Sequence, residues 1–295
     1  MSDQSSPTIN YLVIGHVSRD VSRDVSHDEA RQAADEAAPV EYKPGGTVTF
    51  SSRMARALGC HTAVLTSTAA DYDLAAILPD IALEMIPAVQ NTIFENIYQA
   101  NSRVQILHSV AETITAAAVP DTWREAAIVH LGPIANEVDP AIIDLFPHSR
   151  IGLTPQGWMR RWKEDGRVYA KRFQEAQKLF QKATAVIISE EDLLDPAMLT
   201  EYKSWAHILV MTENYAGCTV FVDGEAQQVP APRIELVEPT GAGDIFATAF
   251  FIQLKRNGGD PIEAAAFANF VAAHSVTQTN LAAKVTAWQK AHSHF

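Results

Sequence analysis

The chain has 295 residues, of which 47% are hydrophobic and 20% charged, an ordinary globular composition. Its formal net charge of −12 makes nucleic acid a poor partner, while leaving room for a local nucleotide site built from backbone amides, a helix N-terminus and a cation. No apolar run reaches the roughly 20 residues that cross a membrane. Residues 1–10 are polar without an apolar signal core, and the two cysteines, Cys60 and Cys218, make neither a disulfide framework nor a zinc set, so a cytoplasmic protein is expected.

Tyr11 to Ile14, short and apolar and closed by Gly15, reads as a buried strand. The tandem Val17-Ser-Arg-Asp20, Val21-Ser-Arg-Asp24, Val25-Ser-His-Asp28 reads as an extended, partly exposed excursion, and 28–38 as a solvated loop or short helix. Pro44-Gly45-Gly46 signals a turn, Thr49 to Leu58 has helical spacing ended by Gly59, and Thr62 to Thr66 is the next strand. Thr92 to Ile97 and Arg103 to His108 form a β-rich patch. Apolar strands follow at 127–131, 150–153, 185–188 and 208–211, with helical patterns such as Arg172 to Ala183 between them. This alternation predicts an α/β fold with a mostly parallel central sheet and helices on both faces. The pieces 16–45 and 90–118 break it and are expected to form a small β lid on one domain spanning 1–295. Asp20, His130, Thr154, Ser189 and Thr212 lie at or past strand ends, where open parallel sheets bind ligands.

The segment richest in chemistry is Glu238-Pro-Thr-Gly-Ala-Gly-Asp244, followed by an apolar helix from Ile245 to Leu254. Gly241 and Gly243 let backbone approach an anion closely, and free amides at a helix start point at one place, with Thr240 or a neighbour as cap. Asp244, in the first turn, is placed to take a proton from an attacking hydroxyl. The same four residues also suit a tight loop with an ordinary helix-start aspartate.

Pro239-Thr-Gly-Ala-Gly-Asp244 with its apolar helix resembles the C-terminal signature of the ribokinase-like, or PfkB, carbohydrate kinases, and the order of the other pieces extends the resemblance over nearly the whole chain. It implies a ribokinase-like three-layer sandwich and an ATP- and Mg2+-dependent sugar or polyol kinase. Asp244 would be its base, and the amides of Gly241, Ala242 and Gly243 its anion hole. Gly15-His-Val-Ser-Arg-Asp20 is similar to the family's Gly-x-x-Asn-x-Asp, so Asp20 inherits the hold on substrate hydroxyls and Ser18 stands for the usual Asn. Gly45 and Gly46 correspond to the glycine pair against the substrate, while Phe50 replaces a substrate-contacting Asn. Ser189-Glu-Glu-Asp192 sits where the family shows Asn-x-x-Glu, which puts Asp192 near Mg2+ through water; a helix cap at Ser189 explains the residues equally. Thr212, Asn214 and Gly217 resemble the nucleotide loop, Thr240 stands on the same side, and Asn269 lies on the helix flanking the adenine. Glu238-Pro239 departs from the usual Asp-Thr, so no K+ dependence is expected.

On the acceptor side, Glu95 and Asn96 are candidates for hydroxyl binding, Arg103 for an anionic group, and Gln156 and Arg160 for the cleft wall. These stretches look closest to the inositol-kinase-like branch. An exposed lid edge suits a homodimer. The alternative is a kinase-fold protein that binds a polyol or nucleoside in a regulatory role. Gly15 lacks the following Gly-x-x-Gly of a dinucleotide fingerprint, which disfavours an oxidoreductase.

Overall fold

The computed structural model describes residues 9–24, 41–99 and 102–292; the expectation for 28–38 lies outside them. The chain enters through β1 (Tyr11–Ile14), runs out along β2 (Ser18–Asp24) and returns by β3 (Lys43–Gly45) into α1 (Thr47–Ala57). It continues through β4 (Thr62–Ala69), α2 (Leu74–Ile77) and β5 (Ala82–Ala88) to the pair β6 (Thr92–Gln99) and β7 (Ser102–Ser109). Then come β8 (Ile128–Leu131), β9 (Arg150–Leu153) and a small hairpin, β10 (Arg160–Trp162) with β11 (Val168–Ala170). The remaining elements are α3 (Ala176–Lys182), β12 (Ala185–Ser189), α4 (Pro196–Trp205), β13 (Ile208–Thr212), β14 (Cys218–Val222), β15 (Glu225–Val229), α5 (Ala242–Arg256), α6 (Pro261–Ser275), α7 (Leu281–Lys284) and α8 (Ala287–His292).

Nine strands form the central sheet in the order β15-β14-β13-β12-β9-β8-β1-β4-β5. Pairing is parallel from β13 to β5 and antiparallel at β14 and β15. Strand side chains alternate between faces, and the core divides accordingly. Tyr11, Val13, Val64 and Ile187 join α1, α5 and α6 on one face; Leu12, Ile14, Leu65, Val186 and Ile188 join Phe180 of α3 and Tyr202 of α4 on the other. This is the three-layer α/β architecture that the strand–helix alternation predicts. A second sheet, β3-β2-β6-β7, stands off it at residues 18–24, 43–45, 92–99 and 102–109.

Local departures have physical causes. Pro44 and Gly45 belong to β3, and only Gly46, at φ 84°, makes the turn into α1. The helix expected from Arg172 starts at Ala176, because Arg172 is spent outside it on Asp195 and Glu201. Five strands lie outside the expected set: β5, β10, β11, β14 and β15, all at sheet edges or in hairpins.

One buried carboxylate joins the two loops at the floor of the cleft. Glu137, 2% exposed, accepts the amides of His16 at 3.0 Å, Ile134 at 2.9 Å and Ala135 at 2.6 Å. Glu137→Ala strands these donors and is expected to lower stability by about 3 kcal/mol. Urea unfolding should show a lower midpoint at unchanged slope, and a midpoint within error of the parent would refute the role.

Candidate active site

The mouth of α5 is built from a left-handed glycine. Gly241 adopts φ 81° and ψ 0°, and a Cβ there would lie 2.2 Å from the Phe50 ring, so the turn is pressed directly on α1. Gly243 is the opposite case: it is exposed, with open space where a Cβ would project. The amides of Gly241 and Gly243 have no protein acceptor among the described residues. Ala242, expected in the same donor set, is spent instead on Pro239 O at 3.1 Å, because closing the turn requires that bond. Thr240 does not cap the helix; its amide and hydroxyl both donate to Glu238 Oε1, at 2.9 and 2.7 Å.

Asp244 follows in the first turn of α5 and keeps some solvent exposure. Burial raises its pKa from 3.8 to about 6, against the lowering effects of a hydrogen bond from Thr47 and the charge of Arg160; the charge of Asp20 adds to the rise. Arg160, from β10, donates to Ile134 O at 3.1 Å and lies over the Phe94 ring of the second sheet at 5.6 Å, so it stands between that sheet and Asp244. Behind Asp244 runs a buried polar chain. Thr248 Oγ1 donates to Asp244 O at 2.8 Å, which forces Tyr11 Oη to donate to Thr248 at 3.3 Å and to accept from His130 Nδ1 at 2.8 Å. His130 Nε2 then accepts from Thr154 Oγ1 at 2.9 Å. Burial pushes the His130 pKa down to about 3, which keeps the ring neutral as this chain demands.

The lid brings Asp20 to the same place. Ser18 Oγ donates to Asp20 Oδ1 at 2.7 Å, and a Cβ on Gly45 would lie 2.2 Å from Asp20 Oδ2, so only a glycine lets β3 pass the carboxylate. A Cβ on Gly46 would strike His16 O at 2.4 Å. Strand alternation separates the next pair. Asn96 is buried on the inner face with Phe94 and accepts from Gln105 at 3.0 Å. Glu95 points to the other face, where Arg23 at 2.7 Å and His108 at 2.8 Å engage its oxygens; the structure does not bring it to the cleft. Arg103 pairs with Tyr98 across the β6–β7 ladder, and its side chain lies outside the described residues.

Gln156 does not join Asp20. Its amide donates to Asp192 Oδ1 at 3.1 Å, which places it beside the Ser189 turn. That turn is a capping box: Ser189 Oγ accepts from Glu191 at 3.3 Å and Asp192 Oδ2 from the Ser189 amide at 3.0 Å. Thr212 Oγ1 donates to Ile188 O at 3.3 Å. Asn214, at φ 50°, reaches Glu190 at 3.4 Å, and Gly217, at φ 103°, passes so close to Val229 O that a Cβ would sit 2.3 Å from it. Asn269 is 4% exposed and donates to Val229 O at 2.8 Å and Cys218 Sγ at 3.5 Å; its amide is used in packing α6 against the β14–β15 hairpin. No group of three or more His, Cys, Asp or Glu residues with metal-binding geometry occurs among the described residues. That leaves Asp192 as a single carboxylate, enough for a Mg2+ ion that takes its other ligands from phosphate and water.

Thr47 and Lys43 were not legible beforehand. Thr47 is an unmarked residue after Gly46, and only the fold turns its hydroxyl to Asp244. Lys43 on β3 comes close enough to act on Glu238.

Residues 165–288 match the family described as pfkB family carbohydrate kinase. The match spans less than half of the chain. The chain is 24% identical over 276 residues to a cytidine kinase of Thermococcus kodakarensis, covering 86% of its own length and 91% of that relative's. A solved pyrophosphate-dependent kinase in the ribokinase family, complexed with a pyrophosphate analog and myo-inositol, superposes with a TM-score of 0.76 at 20% identity, covering 92% of this chain and 96% of the other. The adenosine kinase from Sinorhizobium meliloti gives 0.74 at 15% identity, covering 98% and 100%. The fold is therefore that of these ribokinase-family structures, and the matches together indicate a phosphotransferase acting on sugar or polyol hydroxyls. No helix among the described residues is long and apolar enough to cross a membrane.

Because folding raises the Asp244 pKa, the folded state binds that proton more tightly than the unfolded chain. The resulting stability is complete below 3.8 and lost as pH rises through about 6. Asp244→Asn should therefore be about 2 kcal/mol more stable than the parent at pH 8, with the gap closing toward pH 4. Paired thermal melts across that range check it; a gap independent of pH would show that the burial of this carboxylate has been misread.

Proposed function

We propose that this kinase transfers the terminal phosphoryl group of Mg2+-bound ATP to a hydroxyl of a small polyol or sugar, inositol-like in its array of hydroxyls, with Asp244 as general base. The observation that carries the reading is the juxtaposition at the mouth of α5: a carboxylate with a pKa near 6 beside two outward amides, facing Asp20 on the lid. In the reaction, Asp244 takes the hydroxyl proton as the acceptor oxygen bonds to the terminal phosphorus. The bond to the leaving oxygen of ADP breaks, and the charge on the transferring group meets the Gly241 and Gly243 amides. Asp20, ordered by Ser18 and Gly45, orients acceptor hydroxyls with Asn96 and Gly46.

On the donor side, Thr212, Asn214, Gly217 and Thr240 line the nucleotide path, with Ser189 shaping the turn that presents Asp192. Asn269 acts indirectly by fixing Val229. When bound, Mg2+ supplies charge to the phosphate oxygens, and Asp192 would hold it through water. The lid excludes bulk water. The chain works as one cytoplasmic domain, 1–295, with the free lid edge as the dimer face.

Myo-inositol leads the acceptors because a fold neighbour is complexed with it, and cytidine follows because a sequence relative is a cytidine kinase. A regulatory binding role is the second reading, favoured by Phe50, which fills the space beneath Gly241 with an apolar ring. A panel of myo-inositol, ribose, fructose, cytidine and adenosine with ATP and Mg2+, or with pyrophosphate, separates these ideas through release of ADP or phosphate. Asp244→Asn should lose at least about a hundredfold in kcat while keeping ATP affinity. The parent's log kcat should climb with unit slope below pH 6 and level off above it. Undiminished turnover in the variant removes Asp244 as base; tight binding of one acceptor without turnover selects the regulatory reading.

A further inference from the structure

Beneath the helix mouth lies a buried ammonium that the mechanism above does not use. Lys284, the last residue of α7, is 2% exposed, and its Nζ donates to Glu238 O at 2.5 Å. The carboxylate of the same Glu238 takes the amide and hydroxyl of Thr240. The amides of Val237 and Glu238 both converge on Val276 O at 2.9 Å. Each of these bonds fixes residues 237–240, the strap that leads into left-handed Gly241.

A buried ammonium persists only where protein oxygens replace its water. Here the bonded oxygen belongs to the strap itself, so the cation and the shape of the turn are one arrangement. Charge reaches the carboxylate too. Burial pushes the Glu238 carboxyl upward, but the Thr240 bonds and the charges of Lys284 and Lys43 outweigh it and hold the group below its ordinary value. Lys284 has its own pKa lowered by burial, with Glu238 opposing the fall.

We propose that Lys284 is a positioning residue, an internal cation that holds the 237–240 strap in the shape that aims the Gly241 and Gly243 amides at the transferring phosphoryl group. This rests on the reading of the Gly241–Asp244 mouth as a phosphate grip. Lys284 acts through Glu238 and Thr240. The parent protein accordingly needs no free monovalent ion at this place. Truncating the side chain vacates the space beside Glu238 O, which a free ammonium ion can refill.

The test compares the parent with Lys284→Ala and Lys284→Met in chlorides of ammonium, potassium and choline at equal ionic strength. ATP with MgCl2 is titrated by calorimetry, and thermal unfolding is followed without nucleotide. The parent should bind ATP within about twofold in all three salts. Lys284→Ala should bind at least about tenfold more weakly in choline and recover most of that in ammonium. Lys284→Met, whose longer side chain fills the hole, should stay weak in every salt. In the melts, ammonium should raise the Tm of Lys284→Ala over its value in choline and leave the parent and Lys284→Met unchanged. If the alanine variant folds only with added cation, its folding yield in ammonium against choline is the same measurement. The proposal falls if Lys284→Ala binds ATP as the parent does, or if its affinity and Tm ignore the cation. A parent that binds no ATP in any salt, beside a Tm of the alanine variant that does respond to ammonium, defeats the donor reading and the aiming role while leaving the cation hole established.

Discussion

A glycine lying flat on a phenylalanine ring sets the position of everything else in the site. Gly241 and Phe50 bring the start of α5 into direct contact with α1, and no side chain larger than hydrogen fits between them. The start of α1 is Gly46, one residue beyond β3 of the lid. Gly46 and Gly241 are thus the near ends of two packed helices. Thr47 ties them again by bonding to Asp244. The apolar ring of Phe50 is what supports the left-handed turn at Gly241.

Charge is distributed sparingly around this contact. One carboxylate, Asp20, and one guanidinium, Arg160, act on Asp244 with opposite sign, and burial of Asp244 strengthens both effects. The cost falls on Asp244, whose ionised form is disfavoured, and that cost makes it a stronger base than a surface aspartate. The net charge of −12 does not govern this place, where two amides and a helix end set a local field of the opposite sign.

The sequence carried the central sheet well, because strands buried on both faces leave unbroken apolar runs: Tyr11–Ile14 and Arg150–Leu153 have the bounds their pattern predicts. It carried Asp244 because glycines flank it at a helix start. Hydrogen-bond partners were not legible, since partners are set by folding. Gln156 reads as an acceptor ligand until β9 and β12 become neighbours and place it against Asp192. Glu95 and Asn96 are adjacent in sequence, and only the pleat assigns them to opposite faces of the lid. Asn269 shows the same limit, its amide being consumed by a carbonyl forty residues away in sequence.

The hydroxyl–imidazole chain behind Asp244 has a further consequence. It runs in one direction, from Thr154 through His130, Tyr11 and Thr248 to a carbonyl that can only accept. None of its members gains or loses charge near neutrality, since burial drives His130 down to about 3 and Tyr11 upward. His130 is therefore an electrical insulator: through Tyr11 and Thr248 it anchors the backbone of Asp244 while adding no titration of its own near neutrality.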